Sequence, residues 1–443
     1  MTAEPLPASV RIWGRVRETN GLVMRLVGLA PFARIGDRVT VEVATGRPIA
    51  GEIVAIGDGE VTALLTTGAD GLAARSRAYL ESAAPIKPSD AWLGEVLDCN
   101  GCRADGTRPP EGSRVALLRA APPPAAERRG LGPRLATGLA ATDTFLPLCQ
   151  GQRIGVFAGS GVGKSSLLGA LARGVTADVV VLGLIGERGR EVGEFVRTTL
   201  GPAQMSRTVV ISSTAEEPAL AKRRAAHLTL ALAEHFRSDG RHVLCLLDSL
   251  TRLAEAHREI ALAAGEVPAL RAFPPSTAPH LAQLCERAGP GTQTEGDITA
   301  VFTVLAAGSE MEEPVADMVR GILDGHIVLD RAIAERGRFP AIDIRTSVSR
   351  SAPAAWTETE AALVRRAKAL IGAYEDAAAL IRTGLYEQGA DPFLDEAIAR
   401  YPHLDRFIGN QDSGRAPEEA FAMLATLLEK PVAGLVARGS EKI

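Results

Sequence analysis

From Val10 to about Ala84 short apolar runs alternate with polar turn residues: VRIWGRV, GLVMRLVGL, RVTVEV and EIVAIGDGEVTALLT follow one another along the chain. Asn20-Gly21 joins the first two runs, and Gly36-Asp37 and Gly57-Asp58-Gly59 punctuate the later ones. Asn-Gly and Asp-Gly pairs tolerate the positive φ that tight hairpins need, so this rhythm predicts a small β-barrel. A less regular stretch containing Pro122-Pro123-Pro124 continues to about Ala136 and reads as a connecting segment. From Gln152 the pattern changes. RIGVFAG, DVVVLGLIG, RTVVISS, HVLCLLDS, ITAVFTVLAAG and HIVLD are continuous Val/Ile/Leu runs separated by helical stretches. Runs without polar alternation are strands buried on both faces, which predicts a parallel α/β sheet. After Ser351 apolar residues recur every three or four positions, most clearly in ETEAALVRRAKALIGAYEDAAALIR, so helices are expected there. The division expected is a barrel over 1–88, an α/β core over 89–350 and a helical region over 351–443.

Composition narrows the class. The 443 residues are 46% hydrophobic and 23% charged, enough apolar content for several packed cores and too much for a disordered chain. No run of about 18 uncharged apolar residues occurs, and MTAEPLPASVRIWGRV lacks the basic-then-apolar order of a secretory leader. A cytoplasmic protein is therefore expected. The net charge of −4 argues against a surface that coats nucleic acid. The 4% aromatic content and a barrel read as lacking an aromatic-basic cluster point the same way. Five scattered cysteines suit a reducing compartment. Cys99 and Cys102 form a C-x-x-C, but no second pair stands at metal-site spacing. Asn100-Gly101 between them predicts a hairpin with the cysteines as strand residues flanking the turn.

The chemistry concentrates in AGSGVGKSS, residues 158–166. The phosphate-loop pattern G-x-x-x-x-G-K-[ST] has glycine where this chain has Ala158, yet the context is right: an apolar strand ending at Phe157 and a helix starting near Ser165. A strand–turn–helix of this kind aims backbone N–H groups and the positive helix end at a polyphosphate. Gly159, Ser160, Gly161, Val162, Gly163, Lys164, Ser165 and Ser166 are the expected ATP-binding residues. Lys164 would reach the outer phosphates, and the Ser165 hydroxyl would ligate Mg²⁺. HVLCLLDS ends in Asp248, a carboxylate at a strand tip suited to the same Mg²⁺. VVVLGLIG runs into Glu187, at the strand edge where ligands bind in parallel sheets.

GLIGERGREVGEF, DSLTRLAEAHREIALAAGE, VADMVRGILDGHIVLDR and PAIDIRTSVSR resemble the hexameric ATPases of rotary ATP synthases and protein export. The resemblance runs from the barrel to GLYEQGADPFLDEAIARYPHL, and it implies a RecA-like P-loop NTPase core with an N-terminal β-barrel and a C-terminal helical domain. By that resemblance Glu187 is the catalytic carboxylate that polarises water, Arg188 and Arg252 line the γ-phosphate pocket, and Glu191 supports the water shell of the metal. Phe339 falls where the family sets an aromatic ring against adenine. Arg350 falls where the family has an arginine that reaches into the neighbouring subunit's site.

In rotary synthases the glutamate and the finger sit on different subunit types, whereas this chain carries both Glu187 and Arg350. The resemblance thus implies a homohexamer, as in type III protein export. AGSGVGKS, GLIGERGREV and GADPFLDEAI look most like the flagellar branch, with the virulence-type secretion ATPase as the alternative and an RNA translocase of the Rho type as a more distant one. The family further implies a stator-like regulator, a stalk-like protein, export chaperones and substrates, an export gate at the inner membrane, and a peripheral location at the flagellar base. No nucleic-acid partner is expected.

Overall fold

In the computed structural model, residues 11–43, 48–66, 68–81, 85–269, 272–306, 313–412 and 414–429 are described. Val10 and the leader before it lie outside them, as does the end of the helical region after Glu429.

Six strands close into the barrel: β1 (Trp13–Asn20), β2 (Val23–Val27), β3 (Arg38–Val41), β4 (Ile49–Ile56), β5 (Glu60–Leu65) and β6 (Arg77–Glu81), ordered β1-β2-β5-β4-β3-β6. Gly21 adopts φ +59° in the β1–β2 turn, as the Asn-Gly pair implied. Val16, Met24, Leu26, Val39, Ile53 and Leu65 fill the barrel core. One sequence reading needs correction here. Trp13 lies under the guanidinium groups of Arg15 and Arg77, and Arg11 stacks on Tyr79, so β1 and β6 do present an aromatic-basic face. Antiparallel pairing sets Trp13 opposite Tyr79 and Arg15 opposite Arg77, residues more than 60 positions apart that no local pattern connects.

The remaining strands are β7 (Val96–Leu97), β8 (Arg153–Ala158), β9 (Val179–Glu187), β10 (Thr208–Thr214), β11 (Val243–Asp248), β12 (Gly289–Pro290), β13 (Asp297–Leu305), β14 (Gly325–Leu329) and β15 (Ile342–Ser349). They form one sheet in the order β15-β14-β8-β13-β11-β9-β10-β7, with β12 pairing on β13. The apolar runs noted above all became strands here, and β8, β13, β11, β9 and β10 pair in parallel. Two pairings depart from the all-parallel expectation: β15 runs antiparallel to β14, and β12 antiparallel to β13. β7, from the connecting segment, adds a further parallel edge to β10. That edge also overturns the hairpin at Cys99-x-x-Cys102. The Asp98 carboxylate accepts the N–H groups of Asn100 and Cys102, making a tight turn after β7 with no returning strand. Burial pushes the Cys99 thiol up to about 12, so it is an inert packing group.

Helices cover both faces of the sheet, and one hydrophobic cluster runs from Leu168 and Leu182 to Ile371, Phe407 and Leu424. The helices Glu358–Arg382, Pro392–Ile408 and Pro417–Glu429 thus share a core with one face of the sheet. Thr357 and Glu360 form a reciprocal cap at the first of them. A smaller cluster of Val54, Leu64, Leu220, Ala256 and Ile260 seats the barrel on the α/β core. No described helix is long and apolar enough to cross a membrane.

Candidate active site

The loop between β8 and the helix Lys164–Gly174 leaves the sheet between central strands, with β13 and β14 as neighbours. Ser160, Gly161, Ser165 and Ser166 are exposed, whereas Val162 is buried and anchors the loop from beneath. Ala158 is the last residue of β8 and is buried; its backbone is ordinary strand, so a methyl fits there without strain. Gly163 has no such freedom. It holds φ +93°, and a Cβ there would stand 3.2 Å from Phe339 Cδ1. Phe339 itself is half exposed, its ring set against the loop. Gly163→Ala is expected to cost about 1–3 kcal/mol of stability and to weaken nucleotide binding, read by thermal melting and by titration with a fluorescent ADP; unchanged affinity would contradict this packing.

Three charged groups converge beside the loop. Lys164 Nζ donates to Glu187 Oε1 at 3.0 Å and to Asp248 Oδ1 at 2.5 Å. The parallel pairing of β9 with β11 sets Asp248 opposite Leu184, so both carboxylates emerge at the same sheet edge. Burial raises the Asp248 pKa, the Lys164 ammonium opposes that rise, and the Glu187 charge adds to it. Burial would depress Lys164, but the two carboxylates together outweigh it and hold the ammonium above the ordinary lysine value. The site is therefore a preformed cation between two acids.

A fourth group was not anticipated. Thr303 Oγ donates to Asp248 Oδ1 at 2.6 Å from the interior of β13 and fixes the carboxylate's rotamer. Its only signal in the sequence is a hydroxyl within the apolar run ITAVFTVL. Gly186, at φ +75°, lets the stem of Arg252 pass where a Cβ would come within 2.8 Å of its Cγ. Arg252 pairs with Glu255 at 2.8 Å, and Arg188, with 83% of its side chain exposed, pairs with Glu191 at 3.6 Å. All four stand at the ends of β9 and β11 or in the helices that follow, beside the Lys164–Glu187–Asp248 cluster and not joined to it by a hydrogen bond.

Arg350 is elsewhere. Its N–H donates to the Asp324 carbonyl at 3.0 Å, and the Asp324 N–H donates to the Arg153 carbonyl at 2.8 Å, so Arg350 sits level with the first residue of β8. The phosphate loop leaves the last residue of that strand, about 17 Å away at about 3.3 Å per residue. Because β15 runs antiparallel, it starts near Phe339 on the loop edge and ends with Arg350 on the opposite edge. The chain brings Phe339 to its own loop and carries Arg350 away from it.

A protein of Caulobacter vibrioides named flagellum-specific ATP synthase is 44% identical over 94% of this chain and 96% of its own length. The chain belongs to the ATP synthase alpha/beta family. Residues 138–349 match the nucleotide-binding domain of that family, and residues 356–426 match the T3SS EscN ATPase C-terminal domain. The flagellum-specific ATP synthase of Salmonella typhimurium is 41% identical over 91% of this chain and 90% of its own. Among solved structures, the assembled ATPase EscN of the enteropathogenic E. coli type III secretion system superposes with a TM-score of 0.86 at 36% identity, covering 94% of this chain and 100% of that one. EscN in complex with its central stalk EscO gives 0.80 at 37% identity, again over 94% and 100%. Family membership establishes the expected fold and a nucleotide-binding core that hydrolyses ATP.

Proposed function

We propose that this chain is the ATPase of flagellar type III protein export, hydrolysing ATP at sites shared between identical subunits of a hexameric ring. The observation that carries the shared site is topological: Glu187 and Lys164 lie on one edge of the sheet and Arg350 on the other. A ring that sets one subunit's loop edge against its neighbour's opposite edge joins all three.

The residues fit Mg²⁺ with ATP. Ser165 hydroxyl, Asp248 carboxylate and Glu191 through water are hard oxygen donors, the set this ion takes when phosphates supply the remainder. Bound there, the ion would neutralise charge on the β- and γ-phosphates. The residues of the chain do the rest. Backbone N–H groups of Gly159 to Ser166 cradle the phosphates, Phe339 flanks the adenine, and Lys164 turns from its carboxylates to the outer phosphates. That turn frees Glu187 to orient the attacking water, with Arg188 and Arg252 nearby to hold the γ-phosphate. Arg350 of the next subunit then neutralises charge on the transferring group.

The relatives' names favour the flagellar system over the virulence-type one, and they draw the reading away from an RNA translocase despite the Trp13 face. The stalk seen with EscN supports a stalk-like partner in the ring's centre. A stator-like regulator, export chaperones and their substrates, and a gate at the inner membrane complete the proposed setting, with the ATPase at the flagellar base. In that setting residues 1–88 form the ring's collar, 89–350 its motor and 351–443 the face that meets partners. A deletion strain is expected to lose motility and to regain it with the wild-type gene; a fully motile deletion strain would remove the flagellar assignment.

A further inference from the structure

On the α/β core, where the connecting segment crosses three helices, side chains from several segments line a cavity of about 520 Å³. Arg119 comes from the connecting segment, Arg223 and His227 from the helix Ala219–Arg237, His257 from the helix Leu250–Ala263, and His280 and Gln283 from the helix Thr277–Glu286. No carboxylate lines the cavity among the described residues. Glu52 of β4 stands behind it and accepts both Arg119, at 3.0 Å, and Arg223, at 2.9 Å, on one oxygen. Two guanidinium groups thus share a single negative charge. Arg287, also in the lining, is balanced by two hydrogen bonds to Glu234.

The three imidazoles are packed together. His257 and His280 stack with centroids 4.2 Å apart, and His227 meets His280 edge-on at 5.2 Å. His257 Nε2 contacts Ser276 Oγ at 2.8 Å, and that hydroxyl reaches Glu266. His227 Nε2, His257 Nδ1 and His280 Nε2, however, are buried without a hydrogen-bond partner among the described residues. Orphaned polar atoms inside proteins are rare, and three of them belong to residues that line this one cavity. Burial, reinforced by neighbouring imidazoles and guanidinium groups, lowers His257 to about 4 and His280 to about 3, and it lowers His227 as well. All three are neutral near pH 7; His257 spends its N–H on Ser276 Oγ, whose own proton goes to Glu266, whereas His227, whose Nδ1 accepts from Arg287, keeps an N–H on Nε2.

We propose that this cavity is a binding site for a small phosphate-bearing anion, held by the guanidinium groups of Arg119 and Arg223 and by N–H donors from Gln283, His227 and His280, with His257 stacked behind His280. The same imidazoles do not make a cation site. Arg119 and Arg223, with one carboxylate between them, set a positive field there, and no described group of three His, Cys, Asp or Glu residues is arranged to hold a metal. The volume lies within the range of small-molecule pockets and exceeds the needs of a bare phosphate. Such a ligand would tie the barrel, through Glu52 and its arginines, to the helix that starts directly after Asp248 and carries Arg252. None of the residues in the candidate active site lines this cavity.

The test uses the whole protein with its phosphate loop saturated by Mg²⁺ and a non-hydrolysable ATP analogue, so that added phosphate cannot enter there. Inorganic phosphate is titrated by calorimetry while the imidazole NMR signals of the seven histidines are followed. Saturable binding of one phosphate per chain is expected, with the signals of His227, His257 and His280 moving together. Arg119→Gln and Gln283→Ala, both at exposed positions, should melt like the wild type and bind phosphate at least about tenfold more weakly. The proposal falls if no saturable binding occurs below about 10 mM, or if binding occurs without shifting these three imidazoles. It also falls if both variants bind as tightly as the wild type, or if Zn²⁺ saturates the three histidines in place of phosphate.

Discussion

Glu187→Gln is expected to bind ATP as the wild type does while turnover falls by roughly 10²–10⁴-fold, the range for losing a general-base or water-orienting group. The reason is local. Glu187 Oε1 accepts a hydrogen bond from Lys164 Nζ at 3.0 Å, and a glutamine carbonyl accepts the same bond, so the arrangement of Lys164 and the phosphate cradle survives. The negative charge that polarises water does not. Asp248 still holds Lys164 from the other side, and Thr303 still holds Asp248. Steady-state turnover and titration with a fluorescent nucleotide separate the two effects: kcat falls while Kd stays within about threefold. Turnover within tenfold of the wild type would remove Glu187 from the reaction.

The second large effect concerns Arg350. Arg350→Ala alone should lose roughly 10³–10⁵ in rate, the contribution of an arginine finger, and Lys164→Ala alone should lose binding of the outer phosphates. Mixed in equal amounts in one ring, the two inactive subunits should recover activity. An Arg350→Ala subunit offers an intact loop edge, and a Lys164→Ala neighbour offers an intact arginine. Random mixing restores about a quarter of the interfaces, one half for the loop times one half for the finger. The placement of Arg350 about 17 Å along the sheet from its own loop makes action within one subunit unworkable. Rings shown by native mass spectrometry to be mixed, yet without recovered activity, would refute a finger acting between subunits.

The phosphate loop, Asp248 and Glu187 were legible in the sequence because each is written in consecutive residues: an apolar run, then the functional group at the strand's end. A strand buried on both faces cannot hide its pattern, and parallel strands deliver their last residues to one edge. Thr303 was not legible as a partner of Asp248, since it lies 55 residues away and is only one hydroxyl inside an apolar run. The Trp13–Arg77–Tyr79 face was missed for the same reason: β1 and β6 pair across the whole barrel. The hairpin expected at Cys99-x-x-Cys102 failed because the turn chemistry was read correctly but the strand before it found a parallel partner in β10.

By itself the sequence determined that a barrel precedes a nucleotide-binding α/β core and that Glu187, Lys164 and Arg350 all reside in one chain. Those properties depend on the order and spacing of residues, which hydrophobic periodicity and glycine placement encode directly. Tertiary structure alone decided which edge of the sheet each group occupies. The antiparallel turn of β15 sends Arg350 away from Lys164, and the packing of three helices under the connecting segment gathers Arg119, Arg223 and three histidines around one cavity. Such outcomes follow from strand direction and from the packing of distant segments, where the hydrogen bonds and buried charges of the whole molecule must be satisfied together.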